Sequence, residues 1–242
     1  MKRFAVLFLL LIWVGASPLW AAGEPAALDG ELDDPFGDSG QEVRIADPLE
    51  RINRGLFWFN DKVYMYVAKP VARGWRVVPE PGRIAVSNFF SNLAAPVRFA
   101  NSLLQLKFHK AGNELGRFFF NSTVGVFGLL DPASENGFRK LDPEDFGQTL
   151  GNYGVGHGCY LVLPFLGPSS VRDGIGRVAD TFLKPQTYLL NWWENTALGA
   201  ADAVNEISLD KDTYEGIRKD EVDPYLFIRN AYVQRREGQV RK

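Results

Sequence analysis

Nucleophilic and titratable side chains gather in one stretch of the chain, GNYGVGHGC at 151–159, which runs on into YLVLPFLGP and SSVRD. His157 and Cys159 stand two residues apart, so in an extended segment both side chains leave the same side, the contact a Cys–His nucleophile pair requires. The other reading is a loop histidine beside a small buried thiol. Ser169, Ser170 and Asp173 add two hydroxyls and a carboxylate, but no G-x-S-x-G elbow surrounds either serine. Serines just ahead of VRDGIGRVAD suit a helix cap instead. Gly151, Gly154, Gly156 and Gly158 form G-x-x-G-x-G-x-G, without the Lys-Ser/Thr or the helix start that a phosphate loop needs. His109 is the other histidine and Cys159 the single cysteine. No internal disulfide or multi-cysteine zinc site is expected, and no spacing gathers carboxylates about either histidine. The residues predict neither an enzyme nor a metal or cofactor site.

The chain starts with Lys2 and Arg3, an apolar run from Phe4 to Val14, a break at Gly15–Pro18 and small residues at Ala21–Gly23. That order predicts a secretory signal peptide over 1–23, whose apolar core falls short of the roughly 20 residues of a membrane helix. The protein is expected to be exported. No cysteine stands at the cleavage point, so no lipid anchor is expected there. Loss of Lys2 and Arg3 moves the formal charge from −2 to −4, and a mildly acidic chain without a clustered basic face argues against nucleic acid. Residues 24–46 are rich in Asp, Glu, Gly and Pro, which predicts a disordered acidic arm or spacer. A helical domain is expected over 47–236, with a basic tail at 237–242.

The elements that must position the loop read as helices. Four Asp-Pro pairs, beginning at Asp47, Asp131, Asp142 and Asp223, offer an N-cap carboxylate followed by a first-turn proline. Glu50 and Asp145 lie where a capping box would place an acid. Leu49, Ile52, Leu56, Phe59, Val63 and Tyr66/Val67 make one helical stripe, ended by Pro70. Val171, Ile175, Val178 and Phe182 make a second, behind a Ser169 or Ser170 cap. A third helix is expected over roughly 187–207 and a fourth from Asp223, carrying Tyr225, Ile228 and Tyr232. Segments 88–106 and 115–131 are helical by pattern and apolar around much of their circumference. They belong in a large core or in lipid. Paired tryptophans such as Trp192 and Trp193 suit a membrane interface. The expected fold is all-α, in a protein that lies in or half inserts into a bilayer leaflet.

DPLERINRGLFWFN, VSNFFSNLAAPVRFANSLLQ, LGRFFFNSTVGVFGLLDPA, FGQTLGNYGVGHGCYLVLPFLGPSSVRD and DPYLFIRNAYVQRR, taken in this order, resemble the MlaA/VacJ family from Asp47 to Arg236. The resemblance implies a ring-like bundle of amphipathic helices in a leaflet of the bacterial outer membrane, around an amphipathic channel. It implies removal of mislocalised phospholipids from the outer leaflet, transfer to a periplasmic lipid carrier, and association with a trimeric porin. No cofactor or catalysis is implied. Typical members carry a cysteine at the cleavage site, which this chain lacks. On this reading Gly151, Tyr153, Gly154, Gly156 and Gly158 shape the rim or wall of a lipid passage, and Tyr160, Pro164 and Phe165 continue its lining. The alternative is that the glycines only permit tight packing. Asn88, Asn92 and Asn121 are expected to bond between helices or to passing headgroups. The competing readings are a periplasmic lipid hydrolase using Ser169, Ser170 or His157, and a structural porin-docking protein.

Overall fold

The computed structural model describes residues 45–210 and 212–242. The expected signal peptide, and the expected acidic arm up to residue 44, lie outside the described residues. Helices dominate, as the sequence predicts, with one two-stranded sheet among the described residues. Helix α1 (Glu50–Val63) passes through a π-helical turn (Tyr64–Ala68) into α2 (Lys69–Trp75). Pro70 was expected to end this helix and does not. The Lys69 N–H reaches back five residues to the Tyr64 carbonyl, and Pro70 falls in the first turn of α2, where its missing N–H costs little.

The apolar segment 88–106 is divided between α3 (Glu80–Leu93) and α4 (Ala95–Leu104), parted at Ala94 ahead of Pro96. Helix α5 (Phe108–Thr123) stops short of the expected 131. The chain turns there, with Val126 and Phe127 at φ of 53° and 57°. A one-turn α6 (Pro132–Glu135) and α7 (Phe146–Asn152) follow. Strands β1 (Tyr160–Leu163) and β2 (Gly167–Ser170) then pair antiparallel, Tyr160 opposite Ser170. Helix α8 (Val171–Thr181) comes next. The expected helix over 187–207 is two, α9 (Gln186–Leu189) and α10 (Trp192–Leu209), because Leu190 is extended and Asn191 opens a new capping box with Glu194. Helices α11 (Thr213–Asp220) and α12 (Pro224–Arg241) complete the chain.

The caps divide by what else can hold the carboxylate. Asp223 accepts the N–H groups of Tyr225 and Leu226, and Ser170 accepts that of Asp173 at 3.2 Å, as the sequence predicts. Asp142 does not start a helix. Asp145 caps α7 instead, its Oδ1 2.8 Å from the Gln148 nitrogen. The Asp47 carboxylate accepts instead from the Asn53 amide, the Tyr225 hydroxyl and Arg229, and both Asp131 carboxylate oxygens accept from Arg117 Nη2. Neither caps its helix by its side chain.

Burial runs opposite to the sense of a water-soluble bundle. On α1 the apolar stripe is exposed at Ile52 (59%) and at Tyr66 in the π turn (72%), with Leu56 half-buried against the tyrosine core, while Asn53 and Asp61 are buried. On α8, Ile175 and Phe182 are exposed and Arg172, Asp173 and Asp180 are buried. Among the described residues 23 buried side chains are polar or charged against 13 hydrophobic ones, so the interior is the polar side.

Those interior groups are bonded, as buried polar groups must be. Asn53 and Asn60, seven residues apart on one face of α1, clamp the hairpin. The Asn53 amide donates to the Tyr160 carbonyl at 3.0 Å and accepts from the Val162 N–H at 2.9 Å. Asn60 does the same with the Leu163 carbonyl and the Phe165 N–H, at 2.9 and 2.8 Å. The apolar core that remains is largely tyrosine, Tyr160, Tyr225 and Tyr232 in one cluster and Tyr64 and Tyr214 in another. The hydroxyls of Tyr225, Tyr232 and Tyr214 end on Asp47, Asp173 and Asp61.

Candidate functional site

Helices α8, α10 and α12, the α3–α4 corner, the π turn with α2, and the hairpin tip line an open cavity of about 720 Å³. Its two walls differ in kind. Val67, Val71, Phe90, Leu93 and Val97 form an apolar wall, continued across α10 by Leu198, Val204 and Ile207. Facing them, Asp173, Arg177, Asp180 and Lys184 follow each other at steps of four, three and four along α8 and the turn after it, which sets them on one side. Arg235 and Arg236 of α12 extend the polar wall.

Arg236 is the fixed point of that wall. Its guanidinium meets both oxygens of Asp145 at 2.7 and 2.9 Å and both oxygens of Asp173 at 2.8 Å. Asp173 also accepts from Arg172 Nε at 3.1 Å and from the Tyr232 hydroxyl. Burial alone would raise the Asp173 carboxyl. The Arg236 charge and hydrogen bonds, with Tyr232 and Arg172, outweigh it and hold the group far below the usual carboxylate range. Two other carboxyls go the opposite way. Burial pushes Asp180 up to about 6 although Asn101 and the Phe146 N–H bond to it. Burial and the nearby Glu206 push Asp202 up to about 7, with Lys184 opposing.

The residues the sequence proposed for a passage are spread over three places. Phe165, at φ 63° on the hairpin tip, lines the cavity. Pro164 is half-buried beside it, and Tyr160 is fully buried in the tyrosine core. Gly151 lies against Val240 and Arg172, where a Cβ would sit 2.7 Å from the valine. Tyr153, Gly154, Gly156 and Gly158 form an exposed loop outside the cavity lining, the Tyr153 hydroxyl donating to the Leu104 carbonyl at 2.5 Å. Gly154 and Gly158 have φ of 84° and 70°, backbone that glycine adopts freely. Asn88, Asn92 and Asn121 border a separate small cleft. Asn92 donates to the Ser122 hydroxyl at 2.9 Å and Asn121 to Asp131 at 2.9 Å, so both bond within the protein.

The candidate nucleophiles are also accounted for. His157 Nε2 lies 2.8 Å from Glu237. The Cys159 carbonyl accepts the Val171 N–H at 3.1 Å. Ser169 and Ser170 are fully buried, the second as a helix cap. Among the described residues no group of three or more His, Cys, Asp or Glu could hold a metal ion. Sequence reasoning missed the α8 charge stripe. Its signal was present: D-x3-R-x2-D-x3-K repeats with the period of the apolar stripe and lies on the opposite face.

A helical fold with a largely polar interior, exposed apolar stripes and a cavity lined by both charged and apolar side chains defines a class of protein fitted to hold amphiphiles. The family model of the MlaA lipoprotein matches residues 45–239, and the chain belongs to that family. It is 37% identical over 198 residues to the intermembrane phospholipid transport system lipoprotein MlaA of Escherichia coli K12, covering 79% of this chain and 77% of that protein. The Haemophilus influenzae protein of the same name is 32% identical over 206 residues, with 81% and 80% covered. A chain solved in work on the structural basis for maintenance of bacterial outer membrane lipid asymmetry superposes with a TM-score of 0.73 at 36% identity. That match covers 81% of this chain and 99% of the other.

Proposed function

We propose that this chain is an outer-membrane phospholipid-transport protein that takes mislocalised phospholipids from the outer leaflet and passes them toward the periplasm, maintaining lipid asymmetry. The observation that carries the reading is the cavity, which offers charged groups for a headgroup and apolar side chains for acyl chains, inside a protein that exposes large apolar side chains on α1 and α8. A phospholipid entering it exchanges one amphipathic environment for another, so neither the head nor the tails are stranded. No described helix is long and apolar enough to cross a membrane. The outward stripes of α1 and α8 support embedding in one leaflet, with the charged interior kept from lipid. A trimeric porin that seats the protein and a periplasmic carrier that receives the lipid complete the proposal. No covalent step is required of the chain.

The test is the outer-leaflet phospholipid content of a strain deleted for this gene. A rise reversed by the chain as written supports transport. A rise that the chain does not reverse, with the protein present in the outer membrane, overturns it.

A further inference from the structure

The geometry points to Arg177, backed by Lys184, as the anion-binding site of the cavity, taking the phosphodiester of an amphiphile through charge-assisted hydrogen bonds. This deepens the proposed function and rests on it for the source of the phosphate.

Each carboxylate of the polar wall near Arg177 already has a partner. Asp145 and Asp173 are saturated by Arg236, and Asp180 is bonded by the Asn101 amide at 2.8 Å and by the Phe146 N–H. Arg177 stands between Asp173 and Asp180 on the same stripe, yet no carboxylate among the described residues comes within 4.0 Å of it. Its Nη1 is buried with no hydrogen-bond partner. Lys184 is likewise without an ion pair among the described residues, and both cations line the cavity. Burial lowers the pKa of each, with Arg236 lowering that of Arg177 further and Arg177 that of Lys184. A buried guanidinium nitrogen left unbonded is costly. An anion with several acceptor oxygens relieves that cost, and a phosphodiester does so while its two tails lie across the cavity on Phe90, Leu93 and Val204. The site therefore selects for a phosphate between head and tails, and a diacylglycerol offers it nothing.

The test uses the full chain in detergent micelles, with wild type, Arg177→Gln and Arg177→Lys compared after circular dichroism has shown equal thermal unfolding. Binding is read by fluorescence with dioleoyl phosphatidylglycerol and with dioleoylglycerol, and by phosphorus NMR line width with inorganic phosphate. The expected result is a loss of about tenfold or more in phosphatidylglycerol affinity in Arg177→Gln, partial recovery in Arg177→Lys, and unchanged dioleoylglycerol binding. Equal losses for both lipids, or no loss for either, overturn the anion site. Arg177-dependent binding of inorganic phosphate by a protein that binds neither lipid keeps the site and assigns it to free phosphate, while the transport reading fails. A wild-type protein that binds none of the three overturns both.

Discussion

Arg236 shows how one side chain ties the polar interior together. It joins the cap of α7, Asp145, to the first turn of α8 at Asp173 while rising from α12. Arg236→Met leaves the buried Asp173, and the partly exposed Asp145, without their main partner, and breaking a buried pair such as Arg236–Asp173 costs about 3–5 kcal/mol. Chemical unfolding in detergent should show a loss of that order. The contribution of Asp173 is present above the unfolded carboxylate range of about 4 and is lost as pH falls toward its depressed folded pKa. Acid unfolding of the wild type should therefore outpace that of Arg236→Met relative to their stabilities at pH 7. Asp202 has the reverse sign. Its pKa is raised to about 7 from about 4, so its contribution is full below pH 4 and disappears as pH rises through 7. Asp202→Asn should gain thermal stability over wild type on going from pH 5 to pH 8, and parallel melting curves across that range would refute the assignment. At this scale the sequence was partly legible. The Ser170 and Asp223 caps follow from local chemistry, whereas Asp47 and Asp131 were claimed by Tyr225 and Arg117, which no local pattern announces.

Between elements, α7 and α8 approach backbone to backbone at Gly147 and Gly176. A Cβ on Gly176 would stand 2.4 Å from the Gly147 nitrogen and 2.7 Å from its Cα, both backbone atoms that cannot swing aside. Gly176→Ala should push the two helices apart and cost about 1–3 kcal/mol, read as a lowered melting temperature. Arg236 reaches from α12 to both helices, so the same variant should loosen the Asp145–Asp173 bridge. Periodicity identified α1, α8 and α12 because a stripe repeats at helical spacing whatever it faces. It did not foresee the interruptions at Ala94 and Leu190, where a proline or a fresh capping box parts two helices that share an apolar character.

For the whole molecule, the decisive quantity was the sense of burial. A stripe such as Leu49, Ile52 and Tyr66 fixes the axis of amphipathicity but not which side meets water, and this protein turns it outward. The cavity was illegible for the same reason, since its charged wall lies on the faces that ordinarily belong to solvent. Trp58, Phe127, Leu189, Trp192 and Trp193 are exposed, and the proposed function predicts that they meet a bilayer. Tryptophan emission should be quenched by brominated phospholipid vesicles, and replacing Phe127 and Leu189 together with serine should weaken vesicle association without altering the fold. Undiminished association of the double variant would show that these side chains do not contact lipid.

The π-helical turn at Tyr64–Ala68 carries one residue more than an α-helix of the same rise would hold. Such a turn accommodates one extra residue without breaking the helix. Each residue in an α-helix advances the phase by about 100°, so the inserted residue sets the rotation of everything beyond it. Val71 faces the cavity and Trp75 bonds the Asn205 side chain at 3.0 Å only in the shifted phase. Removing one residue from the turn would restore a regular helix and swing that wall of the cavity aside. The shape of the chamber therefore depends on the helix phase that this one turn sets.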